Sequence, residues 1–151
     1  MSATDDEVRN LIYSSCETLD RRDFEGFLGM CAEQFRYRVS AFVPEAGREL
    51  TWFDQSRSDL EVTFKNLPQH VRLPGEYFRQ ATVQRISRSD GVIYAVTSVL
   101  AVYTDDDGVS RLFAAGRYQD SLVVEVQRLK LRERHTVLQT RDLGGGSHIP
   151  I

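Results

Sequence analysis

Apolar positions in the first third of the chain recur every three or four residues. Val8, Leu11, Ile12, Cys16 and Leu19 fall on one face of a helical period. Thr4 followed three residues later by Glu7 is the capping-box pattern, so the spacing predicts a helix over 5–20. Asp23 can cap a second, short helix with Phe24, Phe27, Leu28 and Cys31 as its buried stripe. Gly26 and Gly29 each weaken that helix by about 1 kcal/mol relative to alanine, so packing must hold it. The period then changes to two, and 35–41 reads as a first strand. A turn is expected over 44–47, followed by a third helix over 54–66 with Leu60, Phe64 and Leu67 at i, i+4 and i+7. Pro68, Pro74 and Gly75 make 66–76 an irregular loop by composition, where a pocket rim or lid could lie.

Four long strands follow, at 77–86, 92–104, 109–121 and 124–141. Ser89-Asp90-Gly91 and Asp105-Asp106-Asp107-Gly108 are tight turns, and such short links force antiparallel neighbours. Strands well beyond the usual ~5–6 residues imply a long, strongly curved sheet. Gly144-Gly145-Gly146 is flexible by composition, and the apolar Ile149-Pro150-Ile151 tail is suited to docking on something. Neither an internal repeat nor a second domain is visible, so residues 1–151 read as one domain. The fold class is α+β. Helices followed by a strand meander suggest one curved antiparallel or mixed sheet wrapped around the helices. That arrangement resembles the cystatin-like (NTF2-like) cone, whose helix-facing concavity commonly makes a pocket.

Composition removes several function classes. A chain of 151 residues buries about 68–70% of its unfolded surface as one domain, enough for a sizeable core. A net charge of −3 supplies no electrostatic reason to bind nucleic acid. No apolar run approaches the ~20 residues of a membrane helix, and the acidic, polar N-terminus is unlike a signal peptide, which together predict a cytoplasmic protein. Cys16 and Cys31 are too few for a disulfide scaffold, a four-thiolate zinc site or an iron–sulfur centre, and read as small buried hydrophobes. The three histidines, His70, His135 and His148, lack the spacing of an iron facial triad or a Rieske centre, so no metal site is expected in this chain.

Strand alternation defines the remaining candidates. Over 124–141 it places Arg128, Lys130, Arg132 and Arg134 on one face and Leu129, Leu131, Glu133, His135 and Val137 on the other. The basic row reads either as a solvated face or as a protein–protein interface, where arginine is enriched. Glu133 and His135 share their face with apolar residues. They form either an acid–base pair inside a cavity or a polar pair satisfied at its mouth. Asp20, Tyr37 and Asp120 can also reach a cone interior. Gly116 within a strand marks a bulge or a close backbone approach, and Trp52 a core or interface anchor.

Two stretches carry a family resemblance: Phe113-Ala114-Ala115-Gly116-Arg117-Tyr118-Gln119-Asp120, and Leu129-Lys130-Leu131-Arg132-Glu133-Arg134-His135-Thr136-Val137-Leu138. Gln139-Thr140-Arg141 and the apolar tail follow them, and Phe35-Arg36-Tyr37 after two helices matches in the first half. The chain resembles the β (small) subunit of Rieske-type aromatic-ring-hydroxylating dioxygenases, the benzoate and terephthalate dioxygenase relatives, over essentially its whole length. The resemblance implies a cystatin-like fold and a non-catalytic structural subunit without cofactor. It implies an α3β3-type assembly on a homotrimer of this chain, in aromatic-compound catabolism. The Rieske [2Fe–2S] cluster and mononuclear iron are then expected in the partner α subunit. It also suggests Arg128, Lys130, Arg132, Arg134, Ile149 and Ile151 as subunit-contact residues. The alternative is a standalone cone-fold enzyme similar to ketosteroid isomerase or the SnoaL-like cyclases and dehydratases. There Glu133 or Asp120 would be the base and Tyr37, Tyr118 or His135 the donor.

Overall fold

Helix α1 (Asp5–Asp20) starts at its capping box. Thr4 Oγ1 accepts from the Glu7 N–H at 3.2 Å, and the Glu7 carboxylate accepts from the Thr4 N–H at 2.7 Å. Its face of Val8, Ile12, Cys16 and Leu19 is buried. The computed structural model describes residues 2–70, 75–143 and 150–151, with no account of the side chains of 68–70. Asp23 caps the short α2 (Phe24–Gly29) by accepting from the Gly26 N–H at 2.9 Å. With two glycines in six residues, α2 is held by Phe27, which is buried edge-on against Phe35 and Phe64.

Strands β1 (Cys31–Val43) and β2 (Arg48–Ser56) form a hairpin, and α3 (Arg57–His70) follows. The meander is β3 (Glu76–Ser89), β4 (Val92–Thr104), β5 (Ser110–Glu125) and β6 (Arg128–Leu138). All six strands join one sheet in the order β2-β1-β6-β5-β4-β3, antiparallel throughout except for the parallel β1–β6 pair. Helix α1 lies against β3 and β6, and α3 against β1 and β2, so all three helices cover one face of the sheet. The core between them joins Ile12, Leu19, Phe27, Phe35, Leu60 and Leu131 in one cluster. This is the NTF2-like fold expected from the order of elements.

Several elements differ from the sequence expectation. Residues 48–56 form an edge strand. Its residues are mostly exposed, so no apolar alternation marks it. The third helix consequently starts at Arg57 instead of 54, where Ser56 and Asp59 make a reciprocal cap: each side chain accepts from the other's backbone N–H, at 3.2 and 3.1 Å. The helix also extends to His70, through part of the stretch expected as loop. Finally, the last hairpin turns at Val126 and Gln127 and not near 122. Both turn residues adopt positive φ, 50° and 61°, without the glycine or asparagine that usually signals such a turn.

The most consequential difference lies inside β6. Ser121 pairs with Glu133 but the next residue, Leu122, pairs with Leu131, which leaves Arg132 as an extra residue without a partner on β5. One inserted residue reverses which side chains face inward. Leu131 is buried before the bulge, and Arg134, Thr136 and Leu138 are buried after it. Arg128, Lys130, Arg132 and Arg134 therefore do not share one surface.

Candidate functional site

The cone interior is organised around Arg134, which is fully buried. Its guanidinium donates to both carboxylate oxygens of Asp120 on β5, from Nε and Nη2, each at 2.9 Å. The same guanidinium lies 3.9 Å from the centre of the Tyr118 ring. Neither side chain of the ion pair touches solvent. Burial opposes the Arg134 charge, but the Asp120 carboxylate outweighs it and holds the guanidinium above its ordinary value. Desolvation pushes the Tyr118 hydroxyl up and the Tyr37 hydroxyl up to about 12, so both stay protonated at neutral pH.

Register builds the rest. Thr97, Tyr118 and Thr136 stand directly across from one another on β4, β5 and β6, all fully buried. Their three hydroxyls have no hydrogen-bond partner among the described residues. Gly116 sits one step along this face, where an added Cβ would lie 2.3 Å from the Val137 carbonyl oxygen. It is a close backbone approach, and the nearest register shifts in β5 fall elsewhere. At the other end of the interior, Arg79 on β3 is buried and donates to Asp20 at 2.6 Å.

Tyr37, Tyr118 and Asp120 are thus brought into one interior, as the sequence suggested. Glu133 and His135 are not, because the bulge turns them to the outer face. Glu133 accepts from Arg38 Nε at 3.0 Å and Nη2 at 2.5 Å. His135 Nε2 lies 2.6 Å from Ser40 Oγ and 3.2 Å from Glu49 Oε1. Ser40 and Glu49 share the same imidazole nitrogen, so the trio lacks the relay of a Ser-His-acid triad, in which the acid holds the other nitrogen. Desolvation, reinforced by the Arg38 charge, lowers the His135 pKa. No acid–base pair formed by Glu133 and His135 exists inside the cone.

Two interface expectations are also corrected. Arg134 is an interior residue committed to Asp120. Ile151 is buried in this chain's own core instead of projecting toward a neighbour. Arg128 and Arg132 are exposed, while Lys130 is half-buried with its ammonium on the Gly29 carbonyl. Ile149 and His148 lie outside the described residues. Both cysteines are buried free thiols, Cys31 at the start of β1 and not on a helix, with burial raising its pKa to about 12. Trp52 is no core anchor. It is 38% exposed and lines a cavity of about 440 Å³ with Tyr37, Phe53, Leu60, Leu67 and Ile151. Among the described residues no three metal-ligating side chains gather, and no helix is long and apolar enough to cross a membrane.

The outer sheet face carries an apolar strip that sequence reasoning missed. Phe78, Val102 and Leu112 stand opposite one another on β3, β4 and β5, and Phe78 and Leu112 are 55% and 60% exposed. Leu100, 45% exposed, lies two residues along β4 on the same face. The meander alternation contained this signal, but which face met the helices was not fixed by the alternation itself.

Chemically, the interior contains two carboxylates from the expected set, and each is paired with an arginine, Asp120 with Arg134 and Asp20 with Arg79. The SnoaL-like domain profile matches residues 1–135. The chain is 29% identical over 145 residues to the 2-aminobenzenesulfonate 2,3-dioxygenase subunit beta of Alcaligenes sp, covering 95% of this chain and 97% of that one. It is 33% identical over 156 residues to the methanesulfonate monooxygenase hydroxylase subunit beta of Methylosulfonomonas methylovora, covering 97% of this chain and 86% of that one. The crystal structure of the β subunit of the benzoate 1,2-dioxygenase from Burkholderia mallei shares the fold, with a TM-score of 0.72 at 10% identity over 91% of this chain and 92% of that one. The chain belongs to the SnoaL-like domain family, in the group of oxygenase β subunits.

Proposed function

We propose that this chain is the non-catalytic β subunit of a multicomponent ring-hydroxylating oxygenase, supporting assembly of a catalytic α subunit. The observation that carries the proposal is the full-length match to oxygenase β subunits, at 29% identity across 95% of this chain for that of 2-aminobenzenesulfonate 2,3-dioxygenase and 33% across 97% for that of methanesulfonate monooxygenase hydroxylase. The interior geometry agrees with it. A cone-fold isomerase or cyclase needs a carboxylate free to take a proton from a substrate. Here Asp120 is closed on Arg134, and Glu133 is on the outer face, paired with Arg38.

The assembly we propose is α3β3 on a homotrimer of this chain, with the Rieske cluster and mononuclear iron held by the α subunit. Two surfaces favour protein contacts: the exposed strip of Phe78, Leu100 and Leu112, and the exposed arginines Arg128 and Arg132. A cyclic trimer would use a heterologous interface that closes on itself. Co-expression with a ring-hydroxylating α subunit tests the proposal, since the two chains should co-purify as one complex.

A further inference from the structure

The outer face of β3, β4 and β5 continues beyond its apolar strip without a single carboxylate. Its cross-strand rows run from Phe78-Val102-Leu112, past Leu100 and Arg117, to Arg85-Val96-Gln119. No aspartate, glutamate or lysine stands on these outward positions. The charges there are Arg85 and Arg117, both exposed and without an ion-pair partner among the described residues. Apolar and arginine side chains without lysine or carboxylate make the composition of a buried protein contact, not of a solvated sheet.

The charge of this face decides the symmetry of the contact. A two-fold axis would set the same patch against itself. Arginine would then meet arginine with no carboxylate between them, and charges buried without a partner are strongly unfavourable. A cyclic trimer instead joins the face to a different surface of the next copy, which must bring carboxylates and an apolar group. The β4–β5 turn carries both. Asp105 accepts from the Asp107 and Val109 N–H groups at 3.0 and 2.9 Å, which fixes the turn. Asp106 and Asp107 are left exposed, with no ion-pair partner among the described residues, beside Val109 at 56% exposure. The acids that open α1 are already engaged, Asp5 by Arg88, Asp6 by Arg9 and Glu7 by the cap.

We propose that the outer face of β3, β4 and β5 receives the β4–β5 turn of a second copy of this chain, with Arg85 and Arg117 meeting Asp106 and Asp107. Repeated around a threefold axis, this contact closes the homotrimer proposed above, on which the inference rests.

Light scattering on size-exclusion fractions of the full chain tests it. The wild type should have the mass of a trimer. Leu100→Asp, in the middle of the face, should reduce this to the mass of a monomer, as should Arg85→Glu with Arg117→Glu. Asp106→Arg with Asp107→Arg should do the same from the other side. Combining the two charge reversals in one chain should restore the trimer. All these positions are exposed, and melting by circular dichroism identifies any variant that fails to fold, in which case the others decide. A trimer unchanged by every folded variant would overturn the inference alone, and loss of co-purification with an α subunit by those variants would assign the face to that chain instead. Two reversals that each break the trimer without mutual rescue would overturn the pairing. A monomeric wild type would overturn both the inference and the homotrimer.

Discussion

Arg134 and Asp120 close on each other at the centre of the cone, with two parallel contacts of 2.9 Å and no solvent exposure of either side chain. Removing one partner of a buried pair strands the other charge and costs about 3–5 kcal/mol, whereas replacing both with apolar groups is often neutral or stabilising. Arg134→Met should therefore lower the unfolding free energy by about that much in urea titration. The double variant with Asp120→Leu should recover most of the loss. Equal losses in the single and double variants would contradict the pairing.

His135 makes stability depend on pH. Its pKa is lowered in the folded chain, by desolvation first and then by Arg38, with Glu49 and Glu133 acting in the opposite direction. The folded state thus favours neutral imidazole. The corresponding stability is fully present above the ordinary histidine value near 6.5 and is lost as pH falls through the lower folded value. The melting temperature should drop over that window, and the His135→Gln variant should show a smaller drop in the same scan.

Gly116 meets the Val137 carbonyl oxygen, so Gly116→Ala must push two paired strands apart. The expected destabilisation is about 1–3 kcal/mol, typical of overpacking. Chemical denaturation measures it directly.

The turn at Val126 and Gln127 should be improvable. Left-handed backbone costs an ordinary L-residue about 1–2 kcal/mol, and Val126 is 90% exposed, so it gives up little packing on replacement. Asn-Gly at these two positions should stabilise the chain by about 1 kcal/mol, which raises the melting temperature by about 2–4 °C for a chain of this size.

Sequence periodicity located α1, α2, the meander and the interior positions of Tyr37, Tyr118 and Asp120, because each lies in a stretch whose buried side repeats at one period. It failed where a local device broke the period. Arg132 inserts one residue into β6, and everything after it changes face, which moved Arg134 inward and Glu133 and His135 outward. The edge strand β2 buries too little to show alternation. The last hairpin turns on Val126 and Gln127, two residues with no turn signature. The Ser56–Asp59 cap was present in the sequence as Ser-x-x-Asp and would have placed the start of α3 correctly. The docking of Ile151 on Tyr37 joins residues 114 apart in sequence, beyond the reach of any local pattern.

The most direct test of the subunit assignment is size-exclusion chromatography with light scattering on this chain co-expressed with a ring-hydroxylating oxygenase α subunit. The account predicts one co-eluting species with equal numbers of the two chains and the mass of an α3β3 assembly. Separate elution of the two chains, with this chain alone processing a small-molecule substrate, would contradict it.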